Sequence, residues 1–143
     1  MPSAQRTIVI SRPPNEVFEF FSDPANDRSW RPAVKEISTE DPPGVGRRIR
    51  QVIAGPGGRG ISADIEVTGY EPPSRYAFQV VAGPARPNGE FRFIETPNGT
   101  EVHFSLAAEL GGIKKWFLSG PVQRSMDVEM AGLDTAKRLI EGS

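Results

Sequence analysis

Few side chains in this sequence combine reactive chemistry with a placement that could use it. His103 is the one histidine, the residue type most often used for proton transfer near neutrality. Cysteine is absent, which removes thiol nucleophiles, disulfides and thiolate metal sites. One histidine makes no cluster for zinc or non-haem iron. The Asp and Glu residues form no Asp-x-Asp-x-Asp-Gly loop or similar grouping, so neither a metal nor an organic cofactor is expected. The run Ala54-Gly-Pro-Gly-Gly-Arg-Gly60 lacks the glycine spacing and the Gly-Lys-Ser ending of a phosphate loop, and Ile61 onward reads as strand. It is read as a hairpin loop. Two further polar side chains, Gln51 and Tyr76, matter because of the face of the sheet they are expected to occupy.

The elements that must position these groups follow from period and punctuation. Thr7 to Ile10 is a short β-branched strand. Arg12-Pro-Pro-Asn15 opens a helix, its prolines at the end where a missing N–H costs little. Val17, Phe20 and Phe21 form its i, i+3, i+4 stripe, with Phe18 flanking. Ser22-Asp23-Pro24 ends it, and Asp23 or Asn26 can cap a second short helix running toward Trp30, which Pro32 ends. Six strands are then expected: Val34–Thr39, Arg47–Ile53, Ile61–Tyr70, Arg75–Val81, Glu90–Glu95 and Thr100–Leu110. Pro-Pro-Gly, Gly-Pro-Gly-Gly, Pro-Pro and two Asn-Gly pairs separate them as turns. Asn98-Gly-Thr100 matches a glycosylation sequon but is read only as a turn. From Ile113 the period turns helical, and Val122, Met126, Met130, Leu133 and Ile140 share one face of a helix expected to lie across the sheet from about Pro121 to Ile140, with Pro121 marking a start or a kink.

The strand faces test one another. A two-residue turn at Asn98-Gly99 would pair Phe93 with Phe104 and Phe91 with Leu106. On that face the neighbouring strands carry Ile49, Gln51 and Ile53, then Ala63, Ile65 and Val67, then Tyr76, Phe78 and Val80. The opposite face carries Arg48, Arg50, Asp64, Glu66, Arg75 and Gln79, opposite charges suited to a solvated surface. His103 falls on that wet face, opposite Ile94, which argues against a catalytic role.

The pattern as a whole resembles the START-like or SRPBCC superfamily, the helix-grip fold of the birch-pollen allergen, and within it the polyketide cyclase/dehydrase and lipid-transport group. Val17-Phe-Glu-Phe-Phe-Ser-Asp-Pro24 with Trp30-Arg-Pro-Ala-Val34 is similar to that group's first helices. Gly44-Val-Gly-Arg-Arg-Ile-Arg50, Val67-Thr-Gly-Tyr-Glu-Pro-Pro-Ser-Arg75 and Asn98-Gly-Thr-Glu-Val102 resemble its strand openings and last hairpin. The likeness covers nearly the whole chain and implies one START-like domain over residues 1–143. The implied fold is α+β: a curved antiparallel sheet of six or seven strands around a long C-terminal helix, with a hydrophobic cavity between them. It implies no single activity, because carriers and cyclases share the fold.

Composition narrows the partners. The 143 residues are 37% hydrophobic and 24% charged, with net charge −1, enough apolar material for a packed core. The densest basic group, Arg47, Arg48 and Arg50, lies beside acidic segments, so nucleic acid is not an expected partner. No stretch reaches transmembrane length, and the amino end has no apolar signal core; a cytoplasmic monomer or homodimer is expected. The ligand is expected to be a small hydrophobic molecule, lipid-, polyketide- or isoprenoid-like, walled by Ile65, Val67, Phe78, Phe91, Phe93, Phe104, Met126, Met130 and Leu133, with Gln51 and Tyr76 as polar points. Met126 and Met130 also suit a wall of variable shape. Trp30 is read as core, closing the second helix over the sheet edge. Trp116 and Phe117 either gate the cavity or anchor the long helix. The alternative is a cyclase, aromatase or dehydratase working in the same cavity, with Tyr76 as the candidate proton-transfer residue. No charged residue is expected on the strand walls, which favours binding over catalysis.

Overall fold

In the computed structural model, residues 2–111 and 113–142 are described, without the side chains of Pro56 and of residues 113–118. Trp116 and Phe117 therefore lie outside the described side chains. The strands are β1 (Ser3–Ile10), β2 (Val34–Ser38), β3 (Arg48–Ala54), β4 (Gly60–Ser62), β5 (Ile65–Glu71), β6 (Arg75–Val80), β7 (Asn88–Thr96) and β8 (Gly99–Ala107). The helices are α1 (Pro14–Ser22), α2 (Asp27–Trp30) and α3 (Ile113–Glu141). Seven strands form one curled antiparallel sheet in the order β1-β8-β7-β6-β5-β3-β2, and β4 pairs beside β3 off that path. From β2 to β8 the sheet is a meander, and β1 closes its far edge against β8. The long helix packs along β1, and α2 bridges α3 and β2.

Several local expectations shift. β1 begins at Ser3, not Thr7, because it pairs with β8 along its whole length, from Ser3–Ala107 to Ile10–Thr100; that ladder satisfies the backbone of polar residues that carry no strand signal of their own. The span read as one strand from Ile61 to Tyr70 breaks at Ala63-Asp64 into β4 and β5. The glycine-rich run is a turn, with Gly57 and Gly58 at positive φ of 73° and 78°. α3 begins at Ile113, where the sequence period turns helical, so it extends eight residues before the Pro121 start and carries Pro121 in its interior. The proline removes one helical N–H donor, but packing of a long amphipathic helix outweighs local propensity.

The β7–β8 hairpin differs most instructively. Thr96 pairs with Gly99, so the loop is Pro97-Asn98, not Asn98-Gly99, and Phe91 rather than Phe93 faces Phe104. Phe93 pairs with Val102 and His103 with Arg92. Proline's preset φ suits the first loop position, and Gly99 takes φ 136° where a Cβ would collide with the Ile10 carbonyl. The slip is two residues, so every side chain keeps its face. Ile49, Gln51, Ala63, Ile65, Val67, Tyr76, Val80, Phe91, Phe93, Phe104 and Leu106 are all buried, while Arg48 pairs with Glu66 and Arg75 with Glu71 and Glu90 on the solvated side.

On α1 the buried face is Val17, Phe18, Phe21 and Ser22. Phe20, expected in the stripe, is half-buried and flanks Phe21 edge-on at 5.4 Å. Phe18 and Phe21 instead pack on Phe93 at 5.7 and 6.0 Å, filling the sheet's concavity at that end. Asp23 caps the 3-10 turn Pro24–Asn26 by accepting from the Ala25 amide at 3.0 Å, and the Asn26 side-chain amide donates to the Phe20 carbonyl. Together they set the direction in which α2 leaves.

Candidate functional site

A cavity of about 410 Å³ lies between the β3–β6 part of the sheet, α2 and the 121–129 segment of α3, within the volume range of small-molecule sites. Ile65, Phe78, Phe91, Phe104 and Met126 are on its wall, as are the polar Gln51 and Tyr76. Val67, Phe93, Met130 and Leu133, expected on the wall, are buried in packed core instead. At Phe93 the reason is α1, whose Phe18 and Phe21 pack against its ring; the void lies toward the 121–129 segment of α3. Exposed residues on its wall include Ala54, Pro84, Arg124 and Val128. A second, more open depression of about 590 Å³ is lined by Glu16, Glu19, Phe20, Asp23, Arg47 and Tyr70, a mixed set with four charged side chains.

Aromatic rings give the cavity its floor. Phe91 and Phe104 stack at 4.0 Å with planes 2° apart, and Trp30, 3% exposed, closes over both at 6.4 Å. Trp30 can come this near because Gly132 lacks a Cβ, which would meet the indole edge at 3.1 Å. Gly89 does the same for Phe78, whose ring occupies the space a side chain on β7 would need.

The strands contribute no charged residue to the wall, but the helices and the residue after α2 do: Asp27, Arg31, Arg124 and Glu129. Arg31 is the hub of an internal network. Its Nε and Nη2 donate to the two carboxylate oxygens of Glu129 at 2.8 and 3.0 Å. Its Nη1 donates to Asp27 Oδ2 at 2.9 Å and to Gln51 Oε1 at 2.7 Å. The three charged side chains are only 12–14% exposed. Gln51 passes the network to the β4–β5 link by donating from Nε2 to the Ala63 carbonyl at 3.1 Å, while its oxygen accepts from Arg31.

One guanidinium thus serves two carboxylates. Burial pushes the Asp27 carboxyl up to about 6 against the pull of Arg31, with the charges of Glu129 and Asp23 adding to the rise. Burial works against the Arg31 cation, but Glu129 and Asp27 outweigh it and hold its pKa above the ordinary value. Burial, with Asp27 nearby, also pushes the Tyr76 phenol up, so Tyr76 stays protonated. Two buried polar atoms have no protein partner among the described residues, Asp27 Oδ1 and Trp30 Nε1, and both belong to wall residues.

Sequence reasoning missed this charged cluster. Asp27 and Arg31 stand four apart, and Glu129 lies three after Met126 and four before Leu133, inside the apolar stripe of α3. A carboxylate at such a position is the available signal. His103 lies on the convex side as expected, hydrogen-bonded to Thr7 Oγ1 at 3.0 Å and Glu101 Oε1 at 2.6 Å.

A curled antiparallel sheet closed by one long helix over an apolar cavity defines the helix-grip class. The chain belongs to the polyketide cyclase/dehydrase and lipid transport family, whose model matches residues 1–138. Among solved structures it is similar to TTHA0849 from Thermus thermophilus, at 22% identity over 97% of both chains with a TM-score of 0.80. DR_A0006 from Deinococcus radiodurans matches at 19% identity over 97% of both chains with a TM-score of 0.72. The di-domain ARO/CYC BexL of the BE-7585A biosynthetic pathway matches at 20% identity over 98% of this chain and 47% of its own, with a TM-score of 0.68. No curated protein matches the chain in sequence. Among the described residues no helix is long and apolar enough to cross a membrane.

Proposed function

We propose that the protein binds a small, largely apolar molecule, lipid-, polyketide- or isoprenoid-like, in the cavity between the sheet and α3. The observation that carries this is the 410 Å³ void with its wall of Ile65, Phe78, Phe91, Phe104 and Met126. Each aromatic residue there offers a large contact area at little entropic cost. An apolar fluorescent probe such as Nile red is expected to bind with micromolar or better affinity and to raise the melting temperature with concentration. Phe78→Arg, which puts a charge on the wall, abolishes that shift, and His103→Ala leaves it unchanged. A wild-type protein that neither binds the probe nor gains thermal stability from it overturns the reading.

A second reading, a cyclase or dehydratase in the same cavity, is favoured by one observation: Asp27, its carboxyl raised to about 6, and Tyr76, its phenol held protonated, both line that cavity. Asp27 as carboxylate can remove the proton α to a ketone, while the Tyr76 hydroxyl donates to the enolate oxygen that forms. The likeness to an ARO/CYC di-domain is one of fold and supplies none of this chemistry. Incubation with a linear polyketone tests it: turnover that falls in Asp27→Asn and Tyr76→Phe with binding retained supports catalysis, and no turnover by the wild type leaves binding alone.

A further inference from the structure

The polar valences at the α2 end of the cavity can be counted. Both oxygens of Glu129, one oxygen of Asp27 and the oxygen of Gln51 are taken by Arg31. Those four bonds use four of the five N–H donors a guanidinium has. Beyond the remaining guanidinium N–H, two atoms have no protein partner at all among the described residues: an acceptor, Asp27 Oδ1, and a donor, Trp30 Nε1, both buried. Leaving such atoms unmatched is costly, and both residues stand on the wall of the same cavity.

We propose that the ligand's polar end is a neutral hydroxyl that donates to Asp27 Oδ1 and accepts from Trp30 Nε1, which makes Asp27 the residue that selects alcohols over carboxylates and over groups that only accept. This rests on the ligand-binding reading above. A hydroxyl is the smallest group that is donor and acceptor at once. A carboxylate would bring a third negative charge to a site where Asp27 and Glu129 already share one cation. An ammonium has no lone pair for Trp30 Nε1 and would sit beside the Arg31 cation. The groups that act on Asp27 are Arg31 following α2, Glu129 on α3 and Asp23 before α2, and Tyr76 on β6 senses its charge. With the Asp27 carboxyl at about 6, it is ionised at pH 8 and accepts.

Calorimetric titration of the full chain at pH 8 with 1-octanol, octyl methyl ether, octanoate and octylammonium tests this, with Nile red as the apolar reference. Octanol is expected to bind about tenfold tighter than the ether, the worth of a hydrogen bond to a charged acceptor, and tighter than octanoate and octylammonium. Asp27→Leu removes the preference over the ether. Should that variant not fold, Asp27→Asn keeps the side-chain shape, and octanoate binding is expected to rise toward that of octanol as the repelling charge goes. Nile red binding with octanol no tighter than the ether, or with octanoate or octylammonium equal to or tighter than octanol, overturns the hydroxyl assignment and leaves the cavity reading standing. Failure of Nile red and of all four octyl compounds overturns the cavity reading and this inference with it.

Discussion

Arg31, just past the end of α2, and Glu129, in the middle of α3, meet in a two-point ion pair of 2.8 and 3.0 Å across 98 residues of sequence. The pair ties the short helix that covers the cavity to the long helix that forms its wall. Because Asp27 shares the same guanidinium, removing Arg31 strands two carboxylates in a largely closed site. Arg31→Met is therefore expected to cost roughly 3–5 kcal/mol in urea unfolding. The triple change Asp27→Asn, Arg31→Met, Glu129→Gln is expected to recover most of that loss, since no unpaired charge remains. A single variant as stable as the triple one would show that the network carries little of the fold's stability.

The Asp27 carboxyl has a definite signature against pH. Its pKa is about 6 in the folded chain against an ordinary 3.8, so the folded state holds the proton more tightly than the unfolded one. Its contribution is most favourable below the unfolded value and is lost as pH rises through about 6. Across that window the Asp27→Asn variant is expected to lose less stability than the wild type, by roughly 2–3 kcal/mol. Parallel stability-against-pH curves for the two proteins would remove Asp27 as the titrating group. Glu90, held low by hydrogen bonds from Arg75 and Arg92 against its partial burial, works in the opposite direction, and it does so equally in both proteins.

Gly89 sets the room available to Phe78. A Cβ at Gly89 would run into the Phe78 ring and approach Leu106 at 2.9 Å. Gly89→Val is expected to drive the Phe78 ring toward the cavity, cost on the order of 1–3 kcal/mol by overpacking and weaken probe binding. The paired measurement is a denaturant melt with a Nile red titration. Unchanged affinity would mean that the ring moves elsewhere.

The two neighbouring phenylalanines of α1 separate core from surface. Phe21, 3% exposed, stacks on Phe91 at 4.8 Å and meets Trp30 edge-on at 5.3 Å. Phe21→Ala is expected to cost about 3–5 kcal/mol. Phe20→Ala, at a half-buried position beside the outer depression, is expected to cost less than half as much. Equal losses in denaturant melts would place both rings in the same core.

Much of the architecture is legible along the chain because it follows from local rules. Alternation placed Ile49, Ile65, Tyr76, Phe91 and Phe104 on the dry face, and a register error of two residues at Pro97-Asn98 left every one of them there. Turn residues marked the hairpins, and the spacing of Val122, Met126, Met130, Leu133 and Ile140 marked the buried face of α3. The start of β1 was not legible, because long-range pairing with β8 overrides the weak local preference of its first residues.

Sequence by itself determined which residues turn inward, since side-chain period depends only on neighbours along one strand or helix. Tertiary structure alone decided which inward residues border empty space. Val67, Phe93, Met130 and Leu133 have the same pattern as Ile65, Phe91 and Met126, yet the first set is packed in core, Phe93 against the α1 phenylalanines, and the second borders a void. It also decided the polar character of that void. Asp27 and Arg31 at the short helix and Glu129 on the long one are far apart in sequence, and only the docking of α2 on α3 brings two carboxylates to one guanidinium. A carboxyl's proton affinity depends on burial and on charges within a few ångströms, quantities that no spacing along the chain encodes.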